Sequence, residues 1–444
     1  MTTGLRRDLG TIESYATLLG ILIGAGIFKV TGEAFLLTGP SVILGYVVLA
    51  PAVLATSAAY SVFLSTPLGR EPGGEYTNIS RTFGSYGLAF IGAWLKIISY
   101  IGALAYLARA FADYAQTLVP VDATALAVGA LVFFYAIHVA GVRWFGRLQV
   151  WMCMILGVSL VVLIGPGLFA LHRAYYTPFF AHGLRGFAAS LPPLFFAYAG
   201  FESLAQTAGE VSDSTHRLPR VFIRGISATL VIYFLMSLVG LGTLPPNRLR
   251  VSAAPMAEAA GAYLSMGGTA IVTIGALMAL LTSVNATMLV PSRIAIVLAD
   301  DRLAPRWAGA VSARTGTPIA GLTLTLGGAL ALLLTNRIGL ALNVAVFALV
   351  LLYLLHSVAL LLLPRANPAL FSQVTVAIPL PLQRALAVLS IVCMAALLTQ
   401  ISLNAVELLL FWTAIGTLLY VWSRRVAHRR TAGGVEDAEE PKLA

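Results

Sequence analysis

Apolar runs of about 20 or more residues recur from residue 11 to residue 426 of this 444-residue chain, each long enough to cross a ~30 Å hydrocarbon core. The pattern predicts about twelve membrane-spanning helices, at 11–37, 41–66, 87–118, 123–140, 148–172, 187–209, 220–243, 257–291, 318–335, 338–363, 385–402 and 404–426. The third and eighth are longer than a bilayer requires, which predicts tilt. Residues 1–10 form a short polar N-terminus. Residues 427–444, with Glu436, Asp437, Glu439 and Glu440, read as a disordered tail. The connections leave no room for a folded soluble domain, so the chemistry must lie among helices.

Two spans are interrupted. The first, 11–37, sets Gly24 and Gly26 on either side of Ala25 near mid-membrane; the sixth, 187–209, carries Pro192 and Pro193, then Gly200 and Glu202. Glycine and proline weaken a helix, and in hydrocarbon an unpartnered backbone N–H or C=O costs several kcal/mol. Such breaks are tolerated where the freed groups face protein, water or a ligand. Half-helices ending there turn N–H groups toward anions and carbonyls toward cations. The two breaks are five spans apart, which predicts two five-helix blocks, 11–172 and 187–363, related as an inverted repeat, with 385–426 as two additional helices. Facing breaks with opposite dipole ends suit a zwitterion. The same glycines also permit close helix packing, and the pattern alone leaves both readings open.

Composition fixes the broad class. Hydrophobic residues make up 59% of the chain and charged residues 10%, with mean hydropathy +0.89, whereas a soluble domain carries roughly 25% charged residues. The first apolar run contains Lys29 and Glu33 and lacks a cleavage motif, so it reads as retained rather than as a signal peptide. A net charge of +10 would suit nucleic acid, but the charges follow the spans. Twenty of the 28 lysines and arginines fall on one side, among them Arg6, Arg7, Arg70, Arg81, Arg143, Arg147, Arg217, Arg220 and Arg224; Arg173, Arg185, Arg248, Arg250 and Arg337 fall on the other. By the positive-inside rule the first side, with both termini, is cytoplasmic, and no nucleic-acid partner is implied. Cys153 and Cys393 lie inside spans and read as packing residues. No Walker loop, HExxH, GxSxG or cluster of metal ligands occurs, so no enzyme activity, cofactor or metal is expected.

Several stretches resemble the amino acid–polyamine–organocation permeases. Gly24-Ala25-Gly26-Ile27-Phe28 looks like the GxGIF motif of that family's first helix, and Phe195-Phe196-Ala197-Tyr198-Ala199-Gly200-Phe201-Glu202 like its FFAYxGFE motif in the sixth. The stretch 71–94 is similar to the signature entering the third helix. Gly209-Glu210-Val211 with Leu218-Pro219-Arg220 resembles the segment after the sixth, and Pro291-Ser292-Arg293 through Asp301 the end of the eighth. These motifs cover residues 18 to 301 in the family's order. The resemblance implies an all-α integral membrane protein with the LeuT-like 5+5 inverted repeat, broken helices 1 and 6, and alternating access. It implies a multi-pass carrier of the cytoplasmic (inner) membrane whose partners are an amino acid, the lipid bilayer and, where transport is proton-coupled, protons; monomer and homodimer are both open. Carried over residue by residue, the substrate carboxylate meets N–H groups among Ile23, Gly24, Ala25, Gly26 and Ile27. The amino group meets carbonyls of both breaks, the second spanning Phe196, Ala197, Tyr198, Ala199 and Gly200, with Phe196 as an aromatic lid.

Few side chains around this expected site are polar. Ala103 stands where arginine–agmatine exchangers carry Asn, which points to a neutral, apolar substrate. Glu202 is the one acidic residue near the site, and reads as a substrate contact, a proton sensor or a partner within the broken helix. Many relatives carry a coupling lysine where this chain has Leu156, which favours sodium-independent exchange or proton coupling. A bound sodium ion would instead want the hydroxyls of Thr282 and Ser283, which also commonly bond their own helix. Lys29 has Glu33 four residues on, and it pairs there or snorkels; Lys96 and Arg109 lie within reach of an interface. Glu210 and Arg293 are candidates for an inner gate pair. A cationic amino acid or polyamine antiporter, and a membrane sensor that binds without transport, are the competing functions.

Overall fold

The computed structural model describes residues 5–432 apart from 25, 117, 253, 336, 337, 401 and 402. Ala25, Arg337 and most of the expected tail therefore lie outside the described residues. The protein is all-α, with a single isolated β-bridge between Leu9 and Val211 and no strand among the described residues. In chain order the helices are α1 (Thr11–Leu22), α2 (Thr31–Thr38), α3 (Val42–Leu64), α4 (Glu75–Phe83), α5 (Tyr86–Ala115), α6 (Ala123–Ala140) and α7 (Val142–Gly167). They continue with α8 (Gly183–Tyr198), α9 (Ser203–Gln206), α10 (Ser214–Thr243), α11 (Pro246–Leu249), α12 (Pro255–Gly261) and α13 (Met266–Asp300). The last six are α14 (Arg306–Gly309), α15 (Ile319–Leu334), α16 (Ile338–Ala366), α17 (Pro368–Phe371), α18 (Leu380–Leu398) and α19 (Leu403–Ala432).

Nine helical stretches among the described residues are long and apolar enough to cross a membrane. The expected twelve also divides the run Thr11–Leu64 in two and counts α8 and α15, each 16 residues. At 1.5 Å per residue those two reach only about 24 Å, less than the hydrocarbon core. The expected boundaries shift in several places, α10 starting at Ser214 rather than 220 and α18 at Leu380 rather than 385 among them. α7 begins at Val142, six residues before the expected 148. The expected eighth span, 257–291, is two helices: Pro255 opens α12, an extended Ser265 separates it from α13, and α13 runs on to Asp300. α19 continues to Ala432, because the arginines and alanines after residue 423 are good helix formers despite their polarity.

α5 lies at the centre, against α4, α6, α13, α15, α16 and α19. The broken first span packs through α1 on α7, α10 and α13, while α8 lies against α2 and α3. Both interruptions are thereby enclosed by other helices, the setting in which irregular backbone survives at membrane depth.

Candidate functional site

The first break is a turn followed by a change of helical pitch. Ile23 N–H donates to Leu19 O at 2.7 Å and Gly24 N–H to Leu22 O at 2.8 Å, closing α1; Gly26–Val30 then form a π-helical turn that runs into α2. Of the five residues expected to meet a carboxylate, Ile23 and Gly24 thus commit their donors to the end of α1. Gly26 and Ile27 stand at the start of the second half-helix, where N–H groups lack intrahelical acceptors. In the second break α8 ends at Tyr198, Ala199 is extended, Gly200 has φ +106°, and helix resumes at Ser203. That φ lies in the left-handed region that favours glycine.

The two breaks touch. A Cβ on Gly26 would sit 2.5 Å from Ala197 Cα and 2.7 Å from its Cβ, so only glycine allows this approach. Gly26, Ala197, Ala199 and Gly200 line a cavity of about 30 Å³, and Ile21, Ala103, Leu107, Phe196 and Leu349 supply its apolar walls. Ile23, Gly24, Ile27 and Tyr198 do not line it. Tyr198 turns away and donates to Tyr46 O at 3.2 Å. Tyr233 on α10 ties the breaks together, its hydroxyl reaching Leu22 O and, at 2.6 Å, Ala197 O. The carbonyls of Ile23 and Ala199 receive no hydrogen bond from the described residues. The cavity is therefore bordered by Gly26 at a helix start of one break and by Ala199, with its uncommitted carbonyl, in the other.

Glu202 is fully buried just past Gly200 and is held by protein groups. It accepts from Tyr100 Oη at 2.6 Å, from the Tyr353 hydroxyl and from Gly200 N–H at 3.0 Å. Its carboxylate is committed to the second break and to α5 and α16, and it is not part of the cavity wall. Thr282 Oγ1 donates to Gly20 O at 2.8 Å, and Ser283 Oγ lies 3.1 Å from Gly20 O and 3.2 Å from Ile21 O, so both hydroxyls stitch α13 to α1. Glu210 and Arg293 meet in a buried two-pronged ion pair, at 2.8 and 3.2 Å. Beside it Leu9 pairs with the backbone around Val211.

Lys29 bonds Asp113 rather than Glu33, at 2.9 Å, and Arg109 shares the same carboxylate at 2.9 Å. Glu33 instead accepts from Tyr106, whose ring packs edge-on against Phe196. Lys96 does not snorkel. It is 1% exposed and bonds both oxygens of Glu75 at 2.8 and 2.6 Å, while Glu75 also accepts from Tyr60 and from Gln206 Nε2 at 2.9 Å. A desolvated charge needs a partner more than a water-facing stem, and the sequence hid that partner 21 positions away on α4. Sequence reasoning also missed Gln149 on α7, whose Nε2 donates to Ala16 O and Thr282 O, each at 3.2 Å, and whose Oε1 accepts from Asn285 at 2.7 Å. Its signal was available: an amide inside an apolar span.

A model of the family described as "Amino acid permease" matches residues 9–422. An uncharacterized transporter of Mycobacterium bovis is 30% identical over 317 residues, 71% of this chain and 70% of its own length. Cationic amino acid transporter 1 of Arabidopsis thaliana is 30% identical over 68% of this chain and 53% of its own length. A vacuolar cationic amino acid transporter 8 from the same plant is 27% identical over 80% of this chain and 63% of its own length. With a match spanning nearly the whole chain, and with broken helices meeting where the motifs lie, this multi-pass membrane protein belongs to the amino acid permease family of the amino acid–polyamine–organocation superfamily.

Proposed function

We propose that this permease is a secondary active transporter that moves a neutral L-amino acid with a predominantly apolar side chain across the cytoplasmic membrane by alternating access. The observation that carries the reading is the meeting of two half-helix breaks on one cavity with apolar walls. Backbone dipoles of both signs can replace the hydration of a zwitterion, and Ile21, Ala103, Leu107, Phe196 and Leu349 offer a side chain no charge. We read 11–172 and 187–363 as the two inverted five-helix repeats, 385–426 as additional helices, and the arginine-rich side, with both termini, as cytoplasmic. Glu210 with Arg293 then forms the inner gate.

Transport is sodium-independent on this reading, by exchange or with a proton. The hydroxyls of Thr282 and Ser283 are occupied with carbonyls of α1, and the amide of Gln149 bonds the same pair of helices. The cationic alternative is favoured by the names of the two plant relatives. Against it stands the carboxylate of Glu202, which already accepts three hydrogen bonds and lines no part of the cavity. Uptake of radiolabelled L-alanine, L-leucine and L-arginine into proteoliposomes tests both. Saturable uptake of alanine or leucine, driven by internal amino acid or an acid exterior and indifferent to sodium, is expected. Uptake of arginine alone overturns the neutral-substrate reading, and binding without flux overturns the carrier.

Glu202 is the proposed site of proton sensitivity, because it links the second break to α5 and α16 through the hydroxyls of Tyr100 and Tyr353. Glu202→Gln removes the titrating group and keeps the shape. The variant is expected to flatten the dependence of uptake on external pH; an unchanged profile assigns the carboxylate a purely structural role.

A further inference from the structure

α13 carries six hydroxyl side chains, and five of them are committed to backbone carbonyls. Thr269, Thr273, Thr282, Ser283 and Ser292 fold back on carbonyls three or four residues earlier, at 3.2, 2.9, 2.7, 3.2 and 2.6 Å. Thr287 makes no hydrogen bond to the described residues, although the same bond to its own helix is available to it. It is 2% exposed and lines the cavity between the breaks. Its hydroxyl borders the cavity, so a ligand that fills the space and leaves it without a partner loses free energy that a ligand bonding it keeps.

We propose that Thr287 reads the substrate side chain, and that the preferred substrate is a short neutral amino acid carrying a hydroxyl, threonine or serine. The assignment rests on the transport reading above, keeps its neutral substrate and replaces the apolar side chain with one that carries a hydroxyl. Tyr100, the other polar side chain on the cavity, has its hydroxyl committed to Glu202, which leaves Thr287 as the uncommitted side-chain hydroxyl on the wall. Ala103, Leu107 and Leu349 take the carbon portion of the side chain. Threonine fits both demands, since its methyl meets the apolar wall while its hydroxyl meets Thr287.

Threonine and valine share a shape and differ in one hydroxyl, so their ratio isolates this contact. With the full chain in proteoliposomes, wild type is expected to take up L-threonine with a kcat/KM about tenfold above that for L-valine. Thr287→Val is expected to bring the two within about twofold, mainly through threonine, and Thr287→Ser to keep the preference. A threonine preference that survives Thr287→Val, or equal rates in wild type, overturns the assignment and leaves transport of neutral amino acids standing. No saturable uptake of threonine, valine, alanine or leucine by wild type overturns the transport reading, and this assignment with it.

Discussion

Lys96→Met is expected to lower the stability of the protein by about 3–5 kcal/mol, because it strands Glu75 in a site with no other cation within bonding distance among the described residues. Glu75 is 1% exposed and joins three neighbours besides its own helix: Lys96 on α5, Tyr60 on α3 and Gln206 at the end of α9. Removing the ammonium leaves either a buried unpaired carboxylate or a protonated one in a nest arranged for an anion. For a chain of this size the loss corresponds to a fall of roughly 3–5 °C in the unfolding midpoint of purified protein in detergent. Replacing both partners, as in Glu75→Gln with Lys96→Met, removes the charge problem and is expected to recover most of that fall. A single variant as stable as wild type would show that the pair contributes nothing. Transport should fall with the single variant too, since Gln206 couples the same cluster to the segment just past the second break.

Gly26→Leu is expected to abolish substrate binding while leaving membrane insertion intact. Even a methyl group at this position meets Ala197 Cα at 2.5 Å and Ala197 O at 2.9 Å, backbone atoms that cannot rotate aside. Overpacking of this kind costs about 1–3 kcal/mol where the surroundings yield, and a leucine must also fit into a cavity of about 30 Å³. The proper control is Gly129→Leu on α6, where an added Cβ meets nothing within 4 Å and uptake should be normal. Ligand-induced thermal stabilisation with alanine, leucine and threonine reads binding directly. Normal binding by Gly26→Leu would remove the proposed site.

Much of the fold was legible because hydrophobic length is a one-dimensional property. Ala123–Ala140 coincides with its expected span, and the start of α1 and the ends of α6 and α10 fall where the apolar runs do. The breaks were legible for a related reason: glycine and proline act locally, and Gly24, Gly26 and Gly200 weaken their helices wherever those helices pack. Boundaries failed where local chemistry overrode hydropathy. Arg143 and Arg147 lie inside α7 and α4 is amphipathic, so neither stretch looks like a membrane span although both are helical.

The sequence by itself determined that this is a helical membrane protein with two interrupted spans, because membrane length, helix breakers and ordered motifs are all written along the chain. Only the tertiary structure decided which polar groups find each other. Lys29 takes Asp113 over the nearer Glu33, Lys96 takes Glu75, and Gln149 reaches both α1 and α13. It also decided that Glu202 is committed and Thr287 is not. The physical reason is the low-dielectric interior, where each polar atom is stabilised by whichever partner packing brings within about 3 Å, and sequence separation plays no part in that choice.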